Sequence, residues 1–182
     1  MNVVLIGFSG SGKSAVGRLL AQHLGWQFVD TDVEVERQAG RRIHEIFARE
    51  GEAAFRQLEG EAVREALRGT RRVVAVGGGA VVDPGSREIV REGNLVVLLE
   101  AGVDTLYRRL ARAAEEEPRP MLGTGGRERI AALKAVRDPI YRETAHLTVS
   151  TEEMEPEGAV ARVAAALETA LDGRSTGVAR EP

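Results

Sequence analysis

The segment Gly7-Phe8-Ser9-Gly10-Ser11-Gly12-Lys13-Ser14 restricts the fold more than any other stretch of the chain. It matches G-x-x-x-x-G-K-[ST] in full, a loop whose backbone N–H groups turn inward around phosphate oxygens. Such a loop needs a strand before it and a helix N-terminus after it. Both are legible. Val3-Val4-Leu5-Ile6 is a short β-favouring run ended by glycine. Val16, Leu19, Leu20 and Leu24 then recur at helical spacing, and Gly25 closes that helix. Glycines allow close backbone approach to a ligand. Lys13 is placed to neutralise the β- and γ-phosphates of a nucleotide, and the Ser14 hydroxyl to ligate Mg²⁺. Composition sharpens the point: Lys13 and Lys134 are the only lysines among 25 basic residues. A chain that otherwise uses arginine has a compact ammonium here, and the two cations differ at a phosphate.

The remaining pattern alternates strands and helices. Strands are predicted at Trp26 to Val29, Val73 to Val76, Leu95 to Leu99 and Leu147 to Val149. From Asp32 to about Leu67 the pattern is helical, broken at Gly40 and Gly51. Further helices are predicted over Pro84 to Arg91, Val103 to about Ala114 and Arg127 to about Arg137, where Pro139 interrupts or begins another turn. Val160, Val163, Ala164, Leu167 and Leu171 mark a last helix. Residues 173–182 are polar and predicted to be a disordered tail. Strands apolar along their whole length imply a parallel sheet covered on both faces. The expectation is therefore an α/β, three-layer αβα architecture with a five-stranded parallel sheet, in one domain over residues 1–172. Ligands of such sheets sit at the carboxyl ends of the strands. The phosphate loop, Asp30-Thr31-Asp32 and Gly77-Gly78-Gly79 each follow a predicted strand, so they should share one crevice.

Each of these has a plainer reading. Asp30 and Asp32, two apart in an extended segment, would point the same way. One could then serve Mg²⁺ and the other accept a hydroxyl proton; equally, Asp32 could simply N-cap the next helix. Three glycines after a strand make a turn, or let backbone approach a ligand. Gly10-Ser11-Gly12-Lys13-Ser14-Ala15 also fits the dinucleotide fingerprint G-x-G-x-x-G/A, with Asp30 near its ribose acid, but that reading leaves Gly7 and Lys13 unused. Arg56, Arg119 and Arg137 stand out only through their neighbours. His23, His44 and His146 show no metal-ligand spacing and read as surface or half-buried residues.

A net charge of −3 gives no bias toward nucleic acid or an anionic membrane. Without cysteine there is neither a disulfide nor a thiolate metal site. The apolar runs are too short to span a bilayer, and no signal peptide is evident. A cytoplasmic protein is expected.

Taken in order, GxxGxGKS, Asp30-Thr31-Asp32, Gly51-x-x-x-Phe55-Arg56, Gly77-Gly78-Gly79-Ala80, Arg119-Pro120-Met121 and Arg137-x-Pro139-x-Tyr141 resemble the shikimate kinase family, from Val3 to about Leu171. The resemblance implies a P-loop fold like that of nucleoside monophosphate kinases. It also implies a lid over residues 113–126, substrate-binding helices over residues 33–60, and a monomer. It implies transfer of phosphate from ATP, with Mg²⁺, to the 3-hydroxyl of shikimate. By position, Lys13, Asp32 and Arg119 would be catalytic. Gly10, Ser11, Gly12, Lys13, Ser14, Ala15, Arg109 and Arg119 would hold ATP, with Arg109 against adenine. Asp32, Arg56, Gly78, Gly79 and Arg137 would hold shikimate, the two arginines on its carboxylate. Ser14 would ligate the metal, with Asp30 one ligand further out. Another small-molecule kinase, such as a gluconate or nucleoside monophosphate kinase, is the neighbouring alternative; a nucleotide-binding regulator without catalysis is a more distant one. The chain departs from the family pattern in four places. Ala15 replaces threonine, Met121 replaces leucine, Glu115-Glu116-Glu117 makes the lid acidic and longer, and Glu152-Glu153-Met154 lacks a basic residue near adenine.

Overall fold

The computed structural model describes residues 1–116, 126–152 and 154–175. Five strands, β1 (Val3–Ile6), β2 (Gln27–Asp30), β3 (Arg72–Ala75), β4 (Leu95–Glu100) and β5 (Leu147–Ser150), form one parallel sheet in the order β2-β3-β1-β4-β5. The helices are α1 (Lys13–Leu24), α2 (Thr31–Ala39), α3 (Ile43–Leu67), α4 (Pro84–Arg91), α5 (Val103–Glu116), α6 (Gly126–Thr144) and α7 (Pro156–Ser175), with one 3-10 turn at Ala80–Val82. The α/β architecture expected from the pattern is the one observed. Among the described residues, no helix is long and apolar enough to cross a membrane.

Period-two alternation explains the layers. In β1, Val4 and Ile6 face one core, which also takes Val74, Val96, Leu98, Leu106, Ile130 and Tyr141. Val3 and Leu5 face the other, with Val16, Leu20, Val97, Leu99, Val163 and Leu167 from α1, β4 and α7. All four β1 side chains are fully buried. At about 1.5–3 kcal/mol for each such side chain, this two-sided burial dominates local propensity. A third, smaller cluster of Val35, Ile46, Phe55 and Ala62 holds α2 against α3, apart from the sheet.

Several expectations shift. β2 and β3 each begin one residue away from their predicted starts, and β4 and β5 each run one residue further. α5 continues through Glu115 and Glu116, so the first residues assigned to the lid are helical; residues 117–125, with Arg119 and Met121, lie outside the described residues. α7 reaches Ser175, past the expected boundary at residue 172, and residues 176–182 lie outside. Pro139 does not end α6, which runs unbroken to Thr144. Proline removes a single helical hydrogen bond. Here the turn beyond it is held from outside by Tyr141, which is buried, and by an Arg142–Glu100 ion pair of 2.6 Å.

Candidate active site

The phosphate loop leaves β1 through three glycines in the left-handed region: Gly7 (φ 138), Gly10 (φ 84) and Gly12 (φ 92). At Gly7 even a methyl would overlap the Leu99 carbonyl oxygen. Gly12 is the N-cap of α1 and offers no capping side chain. The first N–H groups of α1 are therefore left for an anion. Lys13 Nζ folds back to donate to the carbonyl oxygens of Gly7 (2.9 Å) and Phe8 (3.1 Å). Ser14 Oγ donates to Asp30 Oδ2 at 2.6 Å. Ser11 is fully buried, and its hydroxyl is the one buried side-chain oxygen without a hydrogen-bond partner among the described residues.

The carboxylates at the end of β2 are arranged differently from expectation. Thr31 and Asp32 already belong to α2, so the extended-strand geometry does not apply. Asp30, not Asp32, is the N-cap: its Oδ1 accepts from Asp32 N–H at 3.1 Å. Satisfying an otherwise orphaned helix N–H outweighs one more residue of strand. Thr31 Oγ1 accepts from Gly77 N–H at 3.0 Å and ties α2 to the glycine turn. Asp30 and Asp32 still face one open cleft of about 210 Å³, together with Gly10, Gly12, Lys13, Ser14, Ala15 and Arg109.

The glycine turn is shaped by lack of room rather than by positive φ. A Cβ at Gly77 would overlap Glu59 Oε1 and lie 2.7 Å from Asp32 Oδ1; one at Gly79 would overlap Arg56 Nη1. Arg137 also meets the turn, donating to Gly78 O at 3.3 Å with its guanidinium 5.7 Å from the Phe8 ring centre. Arg56 and Arg137 thus both lie against the turn, and Asp32 connects it to the phosphate cleft. Two further residues, to which the sequence pattern assigns no role, complete the surroundings of the turn. Glu59, 4% exposed at its side chain, accepts from Arg56 Nη1 at 2.6 Å. Burial pushes its pKa up, outweighing the opposing pull of the Arg56 guanidinium. The signal was its spacing, since residues three apart share a helix face. Tyr141, the last residue of the Arg137-x-Pro139-x-Tyr141 motif, donates its hydroxyl to Gly78 O. Burial pushes this phenol up to about 12, so it remains a neutral donor.

Arg109 donates to Gly10 O (3.3 Å), Thr151 Oγ1 (3.2 Å) and Thr151 O (2.7 Å). It borders a second cleft, of about 490 Å³, lined also by Gly12, Ala15, Val16, Met154 and Pro156. The acidic residue after β5 has an internal use. Glu152 accepts from Gly102 N–H and from Thr105 Oγ1 (2.7 Å), closing the N-terminus of α5. The Gly102 N–H holds its pKa below the usual carboxylate range. Arg119 lies outside the described residues, as does Glu153. Ser14 and Asp30 present hard oxygen donors suited to magnesium. No group of three or more His, Asp or Glu able to hold an ion occurs among the described residues.

The model of the shikimate kinase family matches residues 9–168. Shikimate kinases of Symbiobacterium thermophilum and Moorella thermoacetica are 46% and 43% identical, covering 90% and 94% of this chain and 94% and 96% of their own lengths. The solved shikimate kinase of Acinetobacter baumannii in complex with shikimate superposes with a TM-score of 0.87 at 34% identity, covering 92% of this chain and 93% of the other. That of Aquifex aeolicus gives 0.80 at 32% identity, covering 92% and 96%.

Proposed function

The chain belongs to the shikimate kinase family, and from that premise we propose how its own residues move the γ-phosphate of ATP onto the 3-hydroxyl of shikimate, giving ADP and 3-phosphoshikimate. One observation carries the reading. Asp32 stands where the phosphate cleft of Lys13 and Ser14 meets the glycine turn flanked by Arg56 and Arg137.

In this reading Lys13 exchanges its two loop carbonyls for the β- and γ-phosphates, and N–H groups of Gly12 and the first turn of α1 cradle them, the Ser11 N–H being held by Phe8 O. Arg56 and Arg137 grip the shikimate carboxylate with their planar forks, and the backbone of Gly78 and Gly79 faces the ring hydroxyls. α2 and the first part of α3 serve as the substrate-binding helices. Arg109 lies against adenine beside the second cleft. Arg119, outside the described residues, is assigned to the transferring phosphate by the family resemblance alone. The acceptor oxygen bonds to the γ-phosphorus as the β–γ bridging bond breaks, its electron pair leaving with ADP. Asp32 orients the hydroxyl and takes its proton at an Oδ. Ser14, and Asp30 through water, would hold magnesium, which when bound spreads positive charge over the phosphate oxygens. Closure over both substrates keeps water from competing as acceptor.

The test is ADP release with shikimate, quinate, gluconate and AMP offered as separate acceptors. Shikimate should be preferred by orders of magnitude. A preference for gluconate or AMP would overturn shikimate as the acceptor, and a preference for AMP, which has no carboxylate, would also overturn the roles of Arg56 and Arg137.

A further inference from the structure

We infer that Thr151 is a positioning residue for nucleotide binding, its hydroxyl joining the phosphate loop, Arg109 and the end of β4 in one hydrogen-bonded joint. Thr151 is buried. Its N–H donates to Glu100 O at 2.7 Å, and its carbonyl accepts from Arg109 Nη2 at 2.7 Å. With the backbone so pinned, the hydroxyl is the group that reaches the loop. It accepts from Arg109 Nη1 at 3.2 Å and has two acceptors within range, Ser11 O at 3.1 Å and Glu100 O at 3.3 Å. One hydroxyl carries one proton. Ser11 O is the nearer acceptor, and Glu100 O already receives the Thr151 N–H.

The consequence follows from peptide planarity. In a trans peptide the C=O and the next residue's N–H point in opposite directions. Anchoring Ser11 O on the Thr151 side turns the Gly12 N–H the other way, and Gly12 lines the cleft shared by Lys13 and Ser14. The groups on either side are already bonded, Ser11 N–H to Phe8 O at 3.1 Å and Gly12 O to the Val16 N–H at 2.9 Å, while the Ser11 carbonyl itself is met by the Thr151 hydroxyl. Gly12 has no side chain, and Ser11's own hydroxyl has no partner among the described residues. The bond bridges 140 residues of sequence, so no local pattern reveals it. The same hydroxyl fills one Arg109 donor, so loop and arginine are set together. The inference rests on reading this loop as the triphosphate site.

Thr151→Val removes the hydroxyl at nearly constant volume; Thr151→Ser keeps it. MgATP and shikimate are varied separately in steady state, MgATP is titrated directly onto the enzyme, and thermal melts are recorded. Valine should weaken MgATP about tenfold in both KM and direct titration, the scale of one buried acceptor left unpaired. KM for shikimate should stay within about twofold and serine within about threefold of wild type, the spread expected of an uncoupled site. Thr151→Cys, of similar size and with only a weak donor, carries the same expectation if the valine variant does not fold. An unchanged MgATP titration would overturn the inference, as would serine failing alongside valine, or both substrates' KM rising in parallel. If wild type ignored shikimate but bound MgATP, and valine still weakened that binding, the acceptor assignment would fall and the joint would stand. A wild type that bound no MgATP would end both.

Discussion

Gly79 has an ordinary backbone, φ −106 and ψ −10, so alanine fits its conformation. What alanine lacks is room: the methyl would meet the tip of Arg56, a flexible guanidinium that can move away. Gly79→Ala should therefore fold normally and raise KM for shikimate by about tenfold or more, the cost of a displaced charge pair. A KM equal to wild type would detach Arg56 from the substrate carboxylate. Asp32→Asn keeps size and cleft but loses the proton acceptor. Turnover should fall by about a hundredfold or more, the usual scale of general-base help, while MgATP titration stays as in wild type. Weaker MgATP binding would instead assign Asp32 to the metal. At this scale the sequence was readable where chemistry is local. The phosphate loop carries its own strand, glycines and lysine. Tyr141 and Thr151 stayed hidden because their roles come from partners brought near by the fold; the Arg56 partner of Glu59 is three residues away on α3, and only its burial was illegible. Tyr141 meets Gly78 across 63 residues. The extended geometry expected at Asp32 does not hold because capping by Asp30 begins α2 at Thr31, one residue before the predicted helical stretch.

Helices and strands were more legible than single contacts, since burial repeats along each of them. Every predicted strand exists, displaced at most by one residue at an end where hydrophobic alternation is silent. The sequence pattern predicts a break at Gly51, and the structure gives the reason. It holds φ 82 and ψ 177 inside α3, a region essentially reserved for glycine. The kink turns α3 so that Ile46 and Phe55, on either side of it, both reach the small core shared with α2. Gly51→Ala should cost about 1–3 kcal/mol, with faster hydrogen exchange concentrated in α2 and the first turns of α3. Uniform loss of protection across the sheet would contradict that local reading. Pro139 was misread because proline is a helix breaker only in the absence of other constraints. Lys134–Asp138, an ion pair of 2.5 Å, and Arg142–Glu100 bracket it on α6.

Across the whole molecule, acid titrates two opposed sets of carboxylates. Glu45, Asp83 and Glu152 each accept a backbone N–H at a helix start, and that bond holds each pKa below its ordinary value. Their stabilisation is present above those ordinary values and lost as pH falls through the lowered ones. Glu59 runs the other way. Its raised pKa means its contribution is full below the ordinary value and lost as pH climbs through the raised one. Melting temperature should drop below about pH 4, in the range of capping carboxylates. The gap between wild type and Glu59→Gln should move in favour of wild type as pH is lowered from neutrality. A gap independent of pH would place Glu59 in a solvated setting. The glycine turn has a final consequence. Its floor is bare main chain, and methyls at 77 and 79 would collide with the side chains that surround them. A new acceptor preference cannot be installed from below. It has to be written into the walls, at positions 32, 56 and 137, and a directed-evolution campaign on this scaffold would find its useful variation there.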